Sequence, residues 1–174
     1  MKKIFGTVLA LGALTSTYVY AAGTLQGQLG VQMTIGAGCT VTNGSSDGTT
    51  NTFGNINFGE YPSLNSTVDG RSFGTGGGSS FGLQCTTGTN YTVALDEGAN
   101  PQGTQRRMAN NGNFITYNLY QDAGRTVPWG AGTSALAGVG DGNNQEVVVF
   151  ARVPAQTTPA AGTYLDTVQV TVSW

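Results

Sequence analysis

Between Gly23 and Ile35 the chain reads GTLQGQLGVQMTI, in which Leu25, Leu29, Val31, Met33 and Ile35 alternate with Thr24, Gln26, Gln28, Gln32 and Thr34. Successive side chains of a strand point to opposite faces, so this spacing predicts a half-buried β-strand. The same odd parity runs on through Ala37, Cys39 and Val41, across Gly36 and Gly38. An extended element from Leu25 to Val41 measures roughly 55 Å at ~3.3 Å per residue, whereas a domain of about 150 residues has a diameter near ~40 Å. Part of such a strand overhangs its own domain unless the two glycines fold it back.

The rest of the chain reads as β-structure too. Glycine makes up 28 of 174 residues, and beyond residue 21 no stretch of ten residues combines helical spacing with good helix formers. Strand-like runs are CTVT (39–42), TFGNINFGEY (52–61), SFGLQCT (80–86), NYTVALD (90–96), NFITYNLYQD (113–122), QEVVVFARV (145–153) and TYLDTVQVTVSW (163–174). Between them lie NGSSDGTT, GTGGGSS, ANNGN and GVGDGNN, rich in residues that tolerate positive φ. About seven strands at this spacing predict an immunoglobulin-like β-sandwich. Neither flank of GTGGGSS is long enough for its own sandwich, so that segment is a loop and the fold is one domain.

Residues 1–21 read as a secretory signal. Lys2 and Lys3 precede the apolar run IFGTVLALGAL, which is too short to span a bilayer, and Val19-Tyr20-Ala21 offers a cleavage site. Cleavage after Ala21 leaves no lysine, no histidine and five arginines against nine acidic residues, a formal charge of −4. So sparse an acidic charge set excludes the clustered basic footprint of a nucleic-acid binder, and no segment reads as membrane-inserting. An exported chain with two cysteines, Cys39 and Cys85, favours a disulfide over two free thiols. The bridge closes a loop of about 45 residues, for which chain entropy gives roughly 4 kcal/mol.

The residue inventory also limits the chemistry. Ser-His, Cys-His and Ser-Lys arrangements are excluded, and zinc has no credible ligand set; no catalytic residue, metal or cofactor is expected. Asp96 and Glu97 are the closest acids of a conceivable glycosidase pair, yet neighbours on a strand face opposite ways. Asp141, Asn143, Gln145 and Glu146 in GDGNNQE depart from the calcium-loop pattern and read as a turn. Three Asn-x-Ser/Thr triplets carry no weight in so Asn- and Thr-rich a chain. Trp129 and Tyr120 offer an aromatic platform for sugar, with packing the plainer expectation.

At the other end of the chain, Tyr164, Val168, Val170, Val172 and Trp174 share one strand face, and no further strand follows to close the sandwich. An apolar strand without a home, beside a fold read as short of one strand, points to donor-strand complementation. The order of GAGCTVTNG, FGNINFGEYPS, LQCTTGTNYTVALDEGAN, RRMANNGNFITYNLYQD, TVPWGAG and PAAGTYLDTVQVTVSW resembles the spore coat protein U family, whose members include pilins of archaic chaperone-usher pili as well as coat and other secreted proteins. The resemblance implies a six-stranded, incomplete immunoglobulin-like fold with a disulfide that Cys39 and Cys85 match. It also implies partners: a periplasmic chaperone that lends the missing strand, and an outer-membrane usher that exchanges it for the extension of the next identical or homologous subunit. Residues 22–36 are then the donor extension and 37–174 the pilin domain, with Leu25, Gly27, Leu29, Val31, Met33 and Ile35 as the inward row. The expected product is a surface pilus for attachment and biofilm formation. The competing expectation is a secreted coat or carbohydrate-binding sandwich that completes its own sheet.

Overall fold

Strands form where apolar alternation is bounded by turn residues, and the computed structural model describes residues 23–41, 53–73 and 81–174. The expected signal segment and the expected loops at 43–50 and 74–80 lie outside the described residues. Among the described residues there are eleven strands: β1 (Cys39–Val41), β2 (Asn55–Ile56), β3 (Val68–Phe73), β4 (Phe81–Cys85), β5 (Asn90–Leu95), β6 (Arg106–Asn110), β7 (Asn113–Tyr120), β8 (Leu136–Val139), β9 (Asn144–Val147), β10 (Phe150–Val153) and β11 (Val170–Ser173). Among the described residues the sole helical element is a 3₁₀ turn, Gly132–Ser134.

The described strands pair antiparallel throughout, in three sheets ordered β1-β4-β9, β2-β3-β10-β7-β6 and β11-β5-β8. One core joins them. Phe81, Leu83 and Cys85 of β4, Val93 and Leu95 of β5, Tyr117 and Leu119 of β7, and Ala151 and Val153 of β10 are all buried in a single cluster. Their spacing is the period of two that lets a strand keep one face dry. The fold is an all-β, immunoglobulin-like sandwich.

Three strands escaped the sequence reading, each for a local reason. In β3 (VDGRSF) the central Gly70 is where Phe58 packs onto the backbone, since a Cβ there would meet the Phe58 ring at 3.0 Å. In β6 (RRMAN) the arginines mask the pattern, and in β8 (LAGV) Gly138 leaves room for the Tyr91 ring. Other runs are shorter or divided. TFGNINFGEY yields only β2. QEVVVFARV breaks after Val147 because β9 pairs with β4, whereas β10 pairs with β3 and β7; Ser72 bridges the switch, donating its N–H to Val149 O (2.8 Å) and accepting from Val149 N at Oγ (2.9 Å).

The compact unit runs from Ile35 to Trp174. Its opening residues are held by Thr86, whose N–H donates to Gly38 O (2.9 Å) and whose hydroxyl donates to Gly36 O (3.1 Å). Residues 23–34 belong to a separate unit. No strand forms between residues 23 and 38. The expected continuous element from Leu25 into the cysteine strand is therefore realised only as β1, because a ladder needs a partner and alternation alone supplies none.

Candidate subunit interface

β11 takes its place from β5, with Val170 opposite Leu95 and Val172 opposite Val93. That register turns Val170 and Val172, together with Val168, onto the buried core, yet all three remain only half-buried. Among the described strands β11 has one neighbour, β5, and β1 likewise has one, β4. Unpaired strand margins are templates for further pairing. Of the other two residues expected on this face, Tyr164 is half-buried and donates its hydroxyl to Ala160 O (2.7 Å). Trp174 is 63% exposed and stands with Tyr91 of β5 and Gly138 and Val139 of β8 around a shallow apolar groove.

The approach to β11 is not the single strand that TYLDTVQVTVSW suggested. Leu165 exchanges two backbone hydrogen bonds with Ala109 of β6 (2.9 and 3.1 Å), and only after Gln169 does the chain join β5. Two carboxylates fasten the crossing. Asp166 Oδ2 accepts from the Tyr117 hydroxyl (2.6 Å), and its Oδ1 accepts from Ala99 N (2.8 Å) and Asn100 Nδ2 (3.3 Å). Asp96 Oδ1 accepts from Gln169 N (2.8 Å) and Gly98 N (3.0 Å). Gly98 has φ +81, and a Cβ there would run into the Asp166 carboxylate, so glycine is required for both the turn and the approach.

Behind this latch lies Arg106, buried and, among the described residues, without an ion pair. Its guanidinium donates to three carbonyls: Asp96 O (2.7 Å), Trp129 O (3.0 Å) and Leu95 O (3.1 Å). Burial pulls its pKa below the ordinary arginine value, with the Tyr117, Glu97, Asp96 and Asp166 side chains opposing. Burial, then the bond to Asp166, push the Tyr117 phenol well above its usual range. The result is a neutral phenol donating to a carboxylate, a charge-assisted bond of the stronger kind.

On β1, the other strand with a single described neighbour, a disulfide joins Cys39 to Cys85, 46 residues apart in sequence. The side chains of Leu25, Leu29, Val31, Met33 and Ile35 are all exposed, and nothing lies near a Cβ built on Gly27.

The weaker candidates resolve otherwise. Trp129 is 2% exposed and donates its indole N–H to Val93 O (2.8 Å), so it is a core residue and forms no platform with Tyr120. Asp141 accepts from Asn143 N (2.8 Å), which holds its carboxyl below the usual range and makes GDGNNQE a hydrogen-bonded turn. Asp96, engaged with Gly98 and Gln169, serves the latch. No group of three or more metal-ligating side chains is assembled among the described residues, and no helix among them is long and apolar enough to cross a membrane. The carboxylate latch and the buried arginine were missed in the sequence; the isolated Arg106-Arg107 pair and Asp166, the sole charge in an apolar run, were the available signals.

Fold and site together define an immunoglobulin-like sandwich whose distinctive features are an apolar row and open strand margins. The family model of the Spore Coat Protein U domain matches residues 25–171, and the chain belongs to that family. Protein U of Myxococcus xanthus is 31% identical over 186 residues, which cover 100% of this chain and 98% of the relative. Among solved structures, the chain is similar to one in the CsuC-CsuE chaperone–tip adhesion subunit pre-assembly complex from the archaic chaperone-usher Csu pili of Acinetobacter baumannii. The TM-score is 0.51 at 25% identity, over 79% of this chain and 40% of that one. The chain thus spans well under half the length of that relative.

Proposed function

We propose that this protein is a structural shaft subunit of an archaic chaperone-usher pilus, exported by way of residues 1–21 and polymerised by donor-strand exchange. A chaperone occupies the margin of β11 in the periplasm, and an usher replaces it with residues 25–35 of the next copy. One observation carries the reading: five large apolar side chains of a single strand parity stand exposed in a chain whose β11, among the described strands, has no second neighbour. Burying that row contributes roughly 7 to 15 kcal/mol at ~1.5–3 kcal/mol per side chain, an upper bound before ordering and association. The likeness to a subunit–chaperone complex of Csu pili supports the partner class, and the row itself favours a shaft over a tip position, because a tip subunit has no earlier subunit to complete. The protein is on this reading not an enzyme.

Likeness to Protein U supports a second reading, a secreted coat protein whose extension completes its own sheet. The two part on oligomeric state. Purified from the native host, the chain is expected as the main component of surface fibres, and without a chaperone it is expected to aggregate or polymerise. A stable, monodisperse, signal-cleaved monomer made without any chaperone overturns the pilus reading.

A further inference from the structure

On the reading above, the exchange has a register, and the two partners carry the marks of one. Val168, Val170, Val172 and Trp174 occupy the same strand parity beside β5; the three valines are half-buried against the core, but the Trp174 indole is 63% exposed. On the extension, positions 25, 27, 29, 31 and 33 share one parity, and all but one carry a large apolar side chain. The exception is Gly27, which leaves a gap one side chain wide.

We infer that the extension of a second copy pairs with β11 so that its Gly27 lies opposite Trp174, the indole covering the glycine. Every strand pair among the described residues is antiparallel, and in an antiparallel pair directly opposed residues share a face. Placing Gly27 opposite Trp174 therefore sets Leu29 opposite Val172, Val31 opposite Val170 and Met33 opposite Val168. Each half-buried valine gains an apolar cover. A shift of two residues in one direction forces Leu29 onto the indole. The opposite shift puts Leu25 there and leaves Gly27 facing Val172, so that valine stays uncovered. A one-residue slip turns the glutamines inward. Aromatic side chains packed across a glycine on the neighbouring strand are a known means of pinning register. Beyond Val168 the chain crosses to β6 at Leu165, so the acceptor margin has four inward positions. The extension fills all four.

The test is a compensation experiment on the full mature chain, in which each copy is donor and acceptor at once. Gly27→Leu is expected to cut the rate of fibre formation by tenfold or more, and Trp174→Gly to slow it less. Gly27→Leu combined with Trp174→Gly is expected to recover most of the wild-type rate. Nothing lies near a Cβ on Gly27 and the Trp174 indole is mostly exposed in the free subunit, so each variant should keep the disulfide and a subunit melting temperature close to that of wild type. Iodide quenching supplies a second readout: Trp129 is buried throughout, so the quenchable tryptophan signal belongs to Trp174 and should fall on assembly. If the double variant is as slow as Gly27→Leu alone, or Trp174 stays equally quenchable in fibres, the register is wrong while strand exchange stands. If the wild-type chain forms no fibres, strand exchange itself fails, and the register with it.

Discussion

Two stretches of this molecule share one pattern and have opposite fates. Residues 25–35 and 164–174 both place apolar side chains at alternate positions, with Gly27 and Asp166 the single exceptions, and by alternation alone they are equally good strands. In the second, β11 pairs with β5 and its valines rest on the core; in the first, every apolar side chain is exposed and no ladder forms. Alternation specifies which face of a strand is dry, but a partner decides whether there is a strand at all. The carboxylate latch explains part of the difference. It delivers the terminal run to β5, whereas among the described residues the extension has no equivalent anchor between Gly23 and Thr34.

The contrast can be broken most forcefully by placing the same charge in each run. Val170→Asp puts a carboxylate against the core and should destabilise the free subunit by about 4 kcal/mol. Val31→Asp should leave subunit stability within ~0.5 kcal/mol of wild type and abolish fibres, while Gln32→Asp on the opposite face still assembles. Denaturant unfolding beside fibre yield reads both. A Val31→Asp subunit that unfolds early would mean that the extension completes its own sheet. Next in size is the bridge: Cys39→Ser should cost the subunit about 3 kcal/mol, and intact mass with and without reductant should show no free thiol in the native protein.

The latch sharpens the comparison from the other side. Asp166→Ala removes three hydrogen bonds to a carboxylate and should cost about 2 kcal/mol. Hydrogen exchange is expected to quicken at residues 170–173 well before β7, making the terminal run resemble the extension. The smallest effect is pH-dependent. Because the folded state raises the Tyr117 pKa above its ordinary value of 10.0, the native protein holds that proton longer than the unfolded chain. The stabilisation is fully present below pH 10.0 and is lost as pH climbs above it. Wild type should lose up to about 1.4 kcal/mol per pH unit there, relative to Tyr117→Phe.

What could be read from sequence depended on how each residue earns its place. β5 and β7 were legible because their two faces differ in polarity, and Cys39 and Cys85 because an exported pair has one economical partner choice. Arg106 was opaque. A buried guanidinium satisfied by three carbonyls from two separate stretches, Leu95–Asp96 and Trp129, looks, in one dimension, like any surface arginine. Asp166 was hidden for the same reason, since its donors come from Ala99, Asn100 and Tyr117, all more than 45 residues earlier. The division of QEVVVFARV between two sheets was equally invisible: both halves are apolar, and only their different partners separate them.

The Cys39–Cys85 bond has a mechanical consequence for a fibre built as proposed. Tension on one subunit's extension enters its own body at Gly36–Gly38 and would, without a covalent shortcut, peel β1 from β4 one ladder pair at a time. Cys39 is the first residue of β1 and lies directly opposite Cys85, the last of β4. The load therefore passes through sulfur into β4, which has neighbours on both sides and sends Phe81 and Leu83 deep into the core. β1 is bypassed, and the force that stretches an oxidised fibre acts on the sandwich as a whole. A reduced fibre would instead yield at β1, lengthening under a weaker pull.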